Sequence, residues 1–144
     1  MTSGSPEMES TPLDHSAQNR CFGCGQANSV GLKLEFSKCA DESVISHAVI
    51  SNQYEGPLGY LHGGIIATLL DEVMSKANRA RGITAMTRQM QVEYLRPVPS
   101  GVAIRLQGRV TRSEGRKHWT EAQIQSVDGS VLASATALFI AIRK

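Results

Sequence analysis

Two adjacent glycines stand out in the stretch HGGIIATLLDE, which begins at His62. Gly63 and Gly64 occupy the start of an apolar segment with helical spacing, and none of the usual capping residues Ser, Thr, Asp or Asn precedes them. A helix start carries unpaired N–H groups and the positive end of the helix dipole. Uncapped glycines would offer those N–H groups to an incoming oxygen, which is the chemistry of an oxyanion hole. The alternative is that the glycines only let the helix approach a sheet closely.

Asp71 supplies a second chemical group, a carboxylate two turns along the same predicted helix. It shares a narrow face of small or polar residues with Gly64 and Thr68, next to an apolar face. A carboxylate there usually has a raised pKa or a hydrogen-bonding partner, and we expect Thr68 to be that partner. Both a general base and a structural, hydrogen-bonded Asp agree with the pattern. We assign Glu72 to an ordinary exposed ion pair with Lys76, four residues later.

The distance between these groups constrains any joint mechanism. Gly63 and Asp71 are eight residues apart, which is about 12 Å along a helix at about 1.5 Å per residue. One helix therefore cannot bring both groups to the same carbonyl carbon. Two copies of the helix, side by side and antiparallel, can do so, and such a shared site requires at least a dimer.

The elements that position these groups follow from the periodicity. Apolar residues from Ile66 to Ala77 recur at helical spacing, and Gly82 suits the position just past the helix end. Two short strands are predicted before the helix, and four strands follow it. The predicted strands cover residues 33–37, 43–50, 86–94, 102–112, 117–126 and 131–144. One apolar helix against one curled antiparallel sheet is an α+β domain.

Length and composition describe one domain after a short tail. The chain has 144 residues and a formal net charge of +2, which is too small to argue for nucleic acid as a partner. We expect residues 1–18, rich in Ser, Thr, Pro and acids, to form a flexible tail, and residues 19–144 to form the domain. No stretch approaches the roughly 18 apolar residues of a membrane helix, and the N-terminus lacks a signal-peptide pattern. We therefore expect no membrane partner and a cytoplasmic location.

Cys21 and Cys24 form a Cys-x-x-Cys pair in the loop sequence CFGCG. A zinc site usually has four ligands, and only Cys39 and scattered histidines could complete one here. The histidines are His15, His47, His62 and His118. We therefore interpret the pair as structural thiols in a tight loop and predict no bound metal and no cofactor. An odd number of cysteines, three, also argues against a disulfide framework.

HGG followed by LDE, one long helix, and a later strand with the pattern T-x-x-x-x-V-x-Y-x-R-P resemble the hotdog-fold acyl-CoA thioesterases of the PaaI-like group. The loop CFGCG-x-x-N-x-x-G-L resembles one that many members carry before their first strand. The similarity covers roughly residues 20–143. It implies a hotdog fold, in which a curled antiparallel sheet wraps one long central helix, and a homodimer or a dimer of dimers. It also implies hydrolysis of an acyl-CoA to a free acid and coenzyme A.

The resemblance also implies roles for individual residues. The Gly63 amide would polarise the thioester carbonyl, and Asp71 of the other subunit would act as general base or nucleophile. His62 takes the position of a histidine that orients the thioester or the loop, and Thr87 that of a hydroxyl residue that helps to hold the attacking water. Several relatives position substrate or water with an Asn shortly before HGG, where this chain has Gly56.

Substrate contacts are expected from a second set of residues. Gly64 and Thr68 lie beside the reacting groups on the predicted helix. Coenzyme A carries phosphates, which basic side chains bind well. The basic candidates are Arg88, Arg112, Arg116 and Lys117, and ordinary solvated surface cations are the alternative. The alternative function is a non-catalytic acyl-CoA-binding hotdog module, and a hydratase on the same fold is a further alternative.

Overall fold

The computed structural model describes residues 10–14 and 16–142. The helix α1 spans Gly63–Ala80, and a short 3₁₀ helix spans Asn52–Tyr54. The strands are β1 (Thr11–Pro12), β2 (Ser37–Lys38), β3 (Val44–Val49), β4 (Ala85–Tyr94), β5 (Ala103–Glu114), β6 (Lys117–Ser126) and β7 (Val131–Ala141). All strand pairs are antiparallel, and they form one sheet in the order β1-β2-β3-β5-β6-β7-β4. The α+β architecture predicted from the sequence is confirmed.

Helix α1 packs its apolar face on this sheet, across the strands that follow it in the chain. The predicted core residues of the helix are each at most 5% exposed: Ile66, Leu69, Leu70, Val73 and Ala77. The helix ends where the sequence predicts, since Gly82 follows it with φ 77°. In the part of the chain that the structure describes, no helix has the length and apolar character needed to cross a membrane.

Strand β4 is the outermost strand on one side of the described sheet. It pairs along one edge with β7, so that Thr87 lies opposite Phe139 and Tyr94 lies opposite Ala133. The register shifts between Thr87 and Gln89, which leaves the residue between them in a β-bulge. The strand that positions Thr87 therefore has one edge available for pairing with another chain.

The segment before β3 differs from the prediction. The strand expected over residues 33–37 is reduced to Ser37–Lys38. Lys33 has φ 53°, which interrupts an extended strand, and the Leu34 N–H donates to the Gly23 carbonyl in the preceding loop. Loop contacts therefore replace strand pairing here.

Part of the predicted N-terminal tail can be compared with the structure. Residues 1–9 and residue 15 lie outside the described residues, as do residues 143–144 at the end of the last predicted strand. Within the stretch predicted as tail, Thr11–Pro12 pairs with Ser37–Lys38 at the outer edge of the sheet. The domain sheet therefore begins before residue 19, the first residue of the predicted domain.

Candidate active site

The start of α1 is capped, contrary to the sequence prediction. His62 precedes the helix in an extended conformation, and its ring Nδ1 accepts a hydrogen bond of 2.9 Å from the Gly64 N–H. Because Nδ1 accepts, the ring proton of a neutral His62 resides on Nε2, which remains a donor. Histidine is outside the usual set of capping residues, so the prediction that Gly64 offers a bare N–H was wrong.

Gly63 keeps an unpaired N–H among residues 10–14 and 16–142. Its carbonyl accepts a hydrogen bond of 3.0 Å from the Tyr94 hydroxyl, but no described group accepts from its amide. Gly63 is exposed, and it lies at the positive end of the helix. Gly63 therefore remains the candidate oxyanion donor.

The space available for a side chain differs between Gly63 and Gly64. A Cβ on Gly64 would lie 3.2 Å from His62 Nδ1, so a side chain there would press against the capping ring. A Cβ on Gly63 would lie 3.7 Å from the Tyr94 ring, which is ordinary van der Waals contact. Close packing thus accounts for Gly64 and not for Gly63, whose missing side chain leaves the amide uncovered.

Asp71 has a partner, but it is not the one that the sequence predicts. Thr87 Oγ1 on β4 donates to Asp71 Oδ1 at 2.5 Å. Thr68, the expected partner, donates instead to the Gly64 carbonyl at 2.9 Å, the bond to residue i−4 that threonine commonly makes within a helix. The prediction for Thr68 was therefore wrong, and the hydrogen bond to Asp71 is a tertiary contact between helix and sheet.

The surroundings of Asp71 favour its protonated form. Burial raises the pKa of this carboxyl above its ordinary value of 3.8, the Thr87 hydrogen bond lowers it, and the neighbouring Glu72 raises it further. The net effect is a raised pKa. A half-buried carboxylate of this kind is a better proton acceptor than an exposed aspartate, which suits a general base.

The bulge in β4 falls beside this pair. Arg88 is the residue that the register skips, and its side chain is exposed. Bulges re-aim neighbouring side chains and are frequent next to active sites. Thr87, the residue immediately before the bulge, is the one that contacts Asp71.

Glu72 does not lie in an exposed ion pair. It is only 9% exposed, and one of its oxygens lies 3.2 Å from Lys76 Nζ. Both of its oxygens lie 3.7 Å from Cys21 Sγ, a residue of the N-terminal loop. The prediction of a solvated surface pair was wrong, because the loop folds over this side of the helix.

The cysteine loop brings potential metal ligands together. Cys21, Cys24 and Glu72 each offer a ligand atom, and these atoms lie within 4.8 Å of one another. Burial raises the pKa of the Cys24 thiol to about 11. His15, one of the scattered candidate ligands, lies outside the described residues.

The basic residues of the β5–β6 hairpin lie at the same end of the sheet as Thr87. These exposed residues are Arg112, Arg116 and Lys117. Thr87 lies opposite Phe139, and Phe139 lies opposite His118, the residue after the hairpin lysine. Two strand spacings, about 10 Å, therefore separate the backbones of Thr87 and His118.

Two of these cations have partners within the chain. Arg112 forms an ion pair with Glu114, and its guanidinium carbon lies 4.1 Å from the centre of the Trp119 ring. Arg116 Nε donates to the Ala141 carbonyl at 3.0 Å. Their placement is compatible with a phosphate-binding role, and the contacts hold both side chains near the end of the sheet.

Comparison with known proteins shows the family. Residues 58–133, more than half of the chain, match the sequence model described as the thioesterase superfamily. The chain belongs to the thioesterase superfamily. The matched segment contains α1 and β4, the two elements that carry Gly63, Asp71 and Thr87. The family resemblance seen in the sequence is confirmed.

Curated relatives of this superfamily member include acyl-coenzyme A thioesterases. The acyl-coenzyme A thioesterase THEM4 of Xenopus laevis is 41% identical over 87 residues, which are 60% of this chain and 39% of that protein. The acyl-coenzyme A thioesterase THEM4 of Bos taurus is 30% identical over 126 residues, 86% of this chain and 52% of that protein. The chain thus spans between two fifths and about half of the length of these relatives.

Solved structures show the same fold. A thioesterase superfamily protein superposes with a TM-score of 0.80 at 33% identity, over 84% of this chain and 60% of its own. The protein smu.793 of Streptococcus mutans, solved bound to acetyl-CoA, superposes with a TM-score of 0.75 at 20% identity, over 91% of this chain and 98% of its own. The predicted hotdog fold, one helix packed against a curled antiparallel sheet, is confirmed.

The site of this thioesterase superfamily chain also contains a residue that the sequence analysis missed. Tyr94 bonds to the Gly63 carbonyl and lies against that glycine. The signal was available, because Tyr94 is the tyrosine of the V-x-Y pattern that carries the resemblance. The functional roles of Gly63, His62, Asp71 and Thr87 remain predictions.

Proposed function

We propose that this protein hydrolyses acyl-CoA thioesters to a free acid and coenzyme A, at a site shared by two subunits. The observation that carries the proposal is the Asp71–Thr87 pair, a half-buried carboxylate oriented by a hydroxyl from the edge strand. The unpaired Gly63 N–H supplies a donor of the kind that stabilises an oxyanion. The names of the curated relatives, acyl-coenzyme A thioesterases, support the substrate class.

The length of α1 supports a site that spans two subunits. Gly63 and Asp71 lie on one uninterrupted helix, about 12 Å apart along its axis. A thioester carbonyl bound to the amide of one helix is therefore out of reach of the carboxylate on that same helix. The carboxylate of a second, antiparallel helix can reach it.

Strand β4 offers the surface for such a dimer. It is ten residues long, lies at one edge of the described sheet and exposes Met86 (63%) and Tyr94 (55%). A long edge strand with exposed apolar side chains is a template for pairing. An antiparallel pairing centred between Met90 and Gln91 would set Thr87 opposite the partner's Tyr94. The partner's Gly63, held by that tyrosine, would then face Asp71.

The chemistry follows from these positions. A water molecule held by Asp71 and Thr87 attacks the thioester carbonyl carbon and gives a proton to Asp71. The N–H of the partner's Gly63 donates to the oxygen that becomes negative, and His62 Nε2–H is available as a further donor. The C–S bond then breaks, and the leaving sulfur takes the proton from Asp71, which gives the free acid and the thiol of coenzyme A.

Recognition of coenzyme A is proposed for the basic end of the sheet. The hairpin that carries Arg112, Arg116 and Lys117 lies near Thr87, and Arg88 lies in the adjacent bulge. Cations at this place can pair with the phosphates of coenzyme A while the thioester reaches the helix. The acyl chain would then lie between the subunits.

The test measures thiol release and coenzyme A binding with a panel of aromatic, short and long acyl-CoAs. We expect Asp71→Asn to lower kcat about 10²–10⁴-fold, the usual contribution of a general base, while acyl-CoA still binds. Asp41→Asn is a matched control, because Asp41 lies in the turn before β3, where its carboxylate accepts a hydrogen bond from Ser43, and β5, β6 and β7 lie between β3 and β4 in the sheet.

Two results would contradict the proposal. Tight acyl-CoA binding without thiol release by the unmodified protein would support the non-catalytic binding module. Unchanged kcat in folded Asp71→Asn would remove the carboxylate from the mechanism. Equal losses in the Asp71 variant and the Asp41 control would show that the assay responds to stability rather than to the site.

A further inference from the structure

A cluster of two thiols and one carboxylate lies beside α1, on residues that the proposed hydrolysis does not use. We call Cys21, Cys24 and Glu72 the thiol–carboxylate cluster. Their ligand atoms lie within 4.8 Å of one another, and Cys21 Sγ is 3.7 Å from both oxygens of Glu72. In a tetrahedral zinc site with Zn–S of about 2.3 Å and Zn–O of about 2.0 Å, sulfur and oxygen ligands are about 3.5 Å apart. The cluster therefore already has nearly the spacing of a metal-binding set.

The loop is built to hold the two sulfurs in place. Asn19 Oδ1 accepts from the Cys21 N–H at 2.9 Å, and Asn19 Nδ2 donates to Cys24 Sγ at 3.3 Å. A donor aimed at a sulfur is the kind of supporting contact that orients a metal-bound thiolate. The loop also presses on the third ligand, because a Cβ on Gly23 would lie 2.6 Å from the Glu72 side chain. A side chain at position 23 would therefore displace the Glu72 carboxylate from its place beside the loop.

Lys76 gives the cluster a suitable balance of charge. Its ammonium lies 3.2 Å from one Glu72 oxygen, and its side chain lines the same cavity as Cys24. Two thiolates and one carboxylate carry three negative charges. A divalent cation and one ammonium together carry three positive charges, so the complete assembly is neutral in a partly buried environment.

Solvent can reach the cluster through a cavity. A cavity of about 390 Å³ is lined by the three cluster residues together with Asn19 and Lys76, and Asp14 lies on its wall. A metal ion has an entry path here, and a water molecule can complete a set of three protein ligands. The sulfur ligands select a borderline-soft ion such as Zn²⁺ over the hard ions Mg²⁺ and Ca²⁺.

We propose that the thiol–carboxylate cluster binds one divalent ion of the zinc class through Cys21, Cys24 and Glu72. The ion ties the N-terminal loop to α1, at the residue that follows Asp71 in the chain. Lys76 and Asn19 orient and neutralise the ligands without binding the metal. This site does not depend on the proposed hydrolysis, because none of its ligands is assigned to bind the thioester or to activate the water in that reaction.

The first test is the metal content of untagged protein. We expect about one zinc per chain by elemental analysis, both after purification and after chelator-treated protein is given zinc chloride. Titration with Co²⁺ should produce thiolate charge-transfer absorption. Wild-type protein that binds less than stoichiometric zinc and gives no such absorption overturns the proposal without any variant. Loss of two hydrogens in the intact mass, without metal, overturns it in favour of a disulfide.

Variants test the ligand set by competition against a chromophoric zinc chelator. We expect Cys24→Ser and Glu72→Gln each to weaken zinc binding more than about 100-fold, and the supporting variant Lys76→Met to weaken it about 10–100-fold. Cys39→Ser is the matched thiol control, because Cys39 is buried in the β2–β3 turn and outside the cluster. The zinc affinity of Cys39→Ser should equal that of the wild-type protein. Unchanged affinity in Glu72→Gln, or an equal loss in Cys39→Ser, overturns the assignment.

Discussion

A proline at position 63 would remove one N–H while keeping the helix. Gly63 is the first residue of α1, where the fixed φ of proline and its missing N–H are tolerated. His62 has φ −62° and ψ 141°, which is the extended conformation favoured before proline. The added Cβ would lie 3.7 Å from the Tyr94 ring, an ordinary contact. The Gly63→Pro variant should therefore fold and lack the candidate oxyanion donor, with the ring Cδ in place of the amide hydrogen.

The expected size of the effect follows from that single lost donor. Removal of one oxyanion-hole donor typically lowers kcat about 10²–10³-fold, which corresponds to about 2.7–4 kcal/mol of transition-state stabilisation. Stability should change little or increase slightly, since proline at a compatible position restricts the unfolded chain by about 0.4–1 kcal/mol. Gly63→Ala is the matched control, because it adds the same Cβ and keeps the N–H.

The assay compares thiol release by Gly63→Pro, Gly63→Ala and wild-type protein on the best acyl-CoA of the panel. Circular dichroism and thermal unfolding establish that each variant is folded. A folded Gly63→Pro protein with wild-type kcat would refute the oxyanion role of this amide. An equal loss in Gly63→Ala would show that the side chain, and not the missing N–H, causes the defect.

Mixing variants tests whether the site is shared. In a mixed dimer of Gly63→Pro and Asp71→Asn chains, a shared arrangement leaves one site with both lesions and one site with neither. Random exchange makes about half of the dimers mixed, so activity should recover to about a quarter of the wild-type value per chain. Verified mixed dimers with no recovered activity would refute the inference from the length of α1.

Further predictions concern pH dependence, stability and assembly. Asp71 acts in its ionised form, and burial raises its pKa above 3.8, so kcat/KM should fall as the pH drops through that raised pKa. The pH–rate profile of Asp71→Asn should lack this decrease on the acidic side, the acidic limb. Because the pKa of Asp71 is raised in the folded protein, its ionised form destabilises the fold at neutral pH, and Asp71→Asn should raise Tm there. Below pH 3.8 the carboxyl is protonated in both the folded and the unfolded protein, so the gain in Tm should be lost. Thr87→Val removes a hydrogen bond to a charged group, worth about 1.5–3 kcal/mol, so kcat should fall roughly 10- to 100-fold and the acidic limb should move to higher pH. In Gly64→Ala the new Cβ would lie 3.2 Å from His62 Nδ1, so the capping ring must move by a few tenths of an ångström. A weakened cap costs about 0.5–2 kcal/mol, but alanine favours a helix over glycine by about 1 kcal/mol, so the free energy of unfolding in urea should change by at most about 1 kcal/mol. Sedimentation should show wild-type protein as a dimer or larger at micromolar concentration.

Local sequence was sufficient wherever the interaction is local. Helical spacing predicted α1 and its buried face, and alternation predicted the four strands after it, because side-chain periodicity follows directly from backbone geometry. Gly63 and Asp71 could be selected as candidate site residues from residue type and spacing alone. Their separation on one helix is a property of the chain that no tertiary contact can change.

Only tertiary structure decided which groups meet. Thr68 is nearer to Asp71 in sequence, but its hydroxyl donates to the backbone carbonyl of Gly64, one turn earlier. The hydrogen bond to the Asp71 carboxylate comes instead from Thr87, on a distant strand. The spacing of Glu72 and Lys76 predicts an exposed ion pair, yet a loop some fifty residues earlier in the chain covers Glu72. Such contacts depend on how helix, sheet and loop pack, and a pattern read along one element contains no information about what covers its other faces.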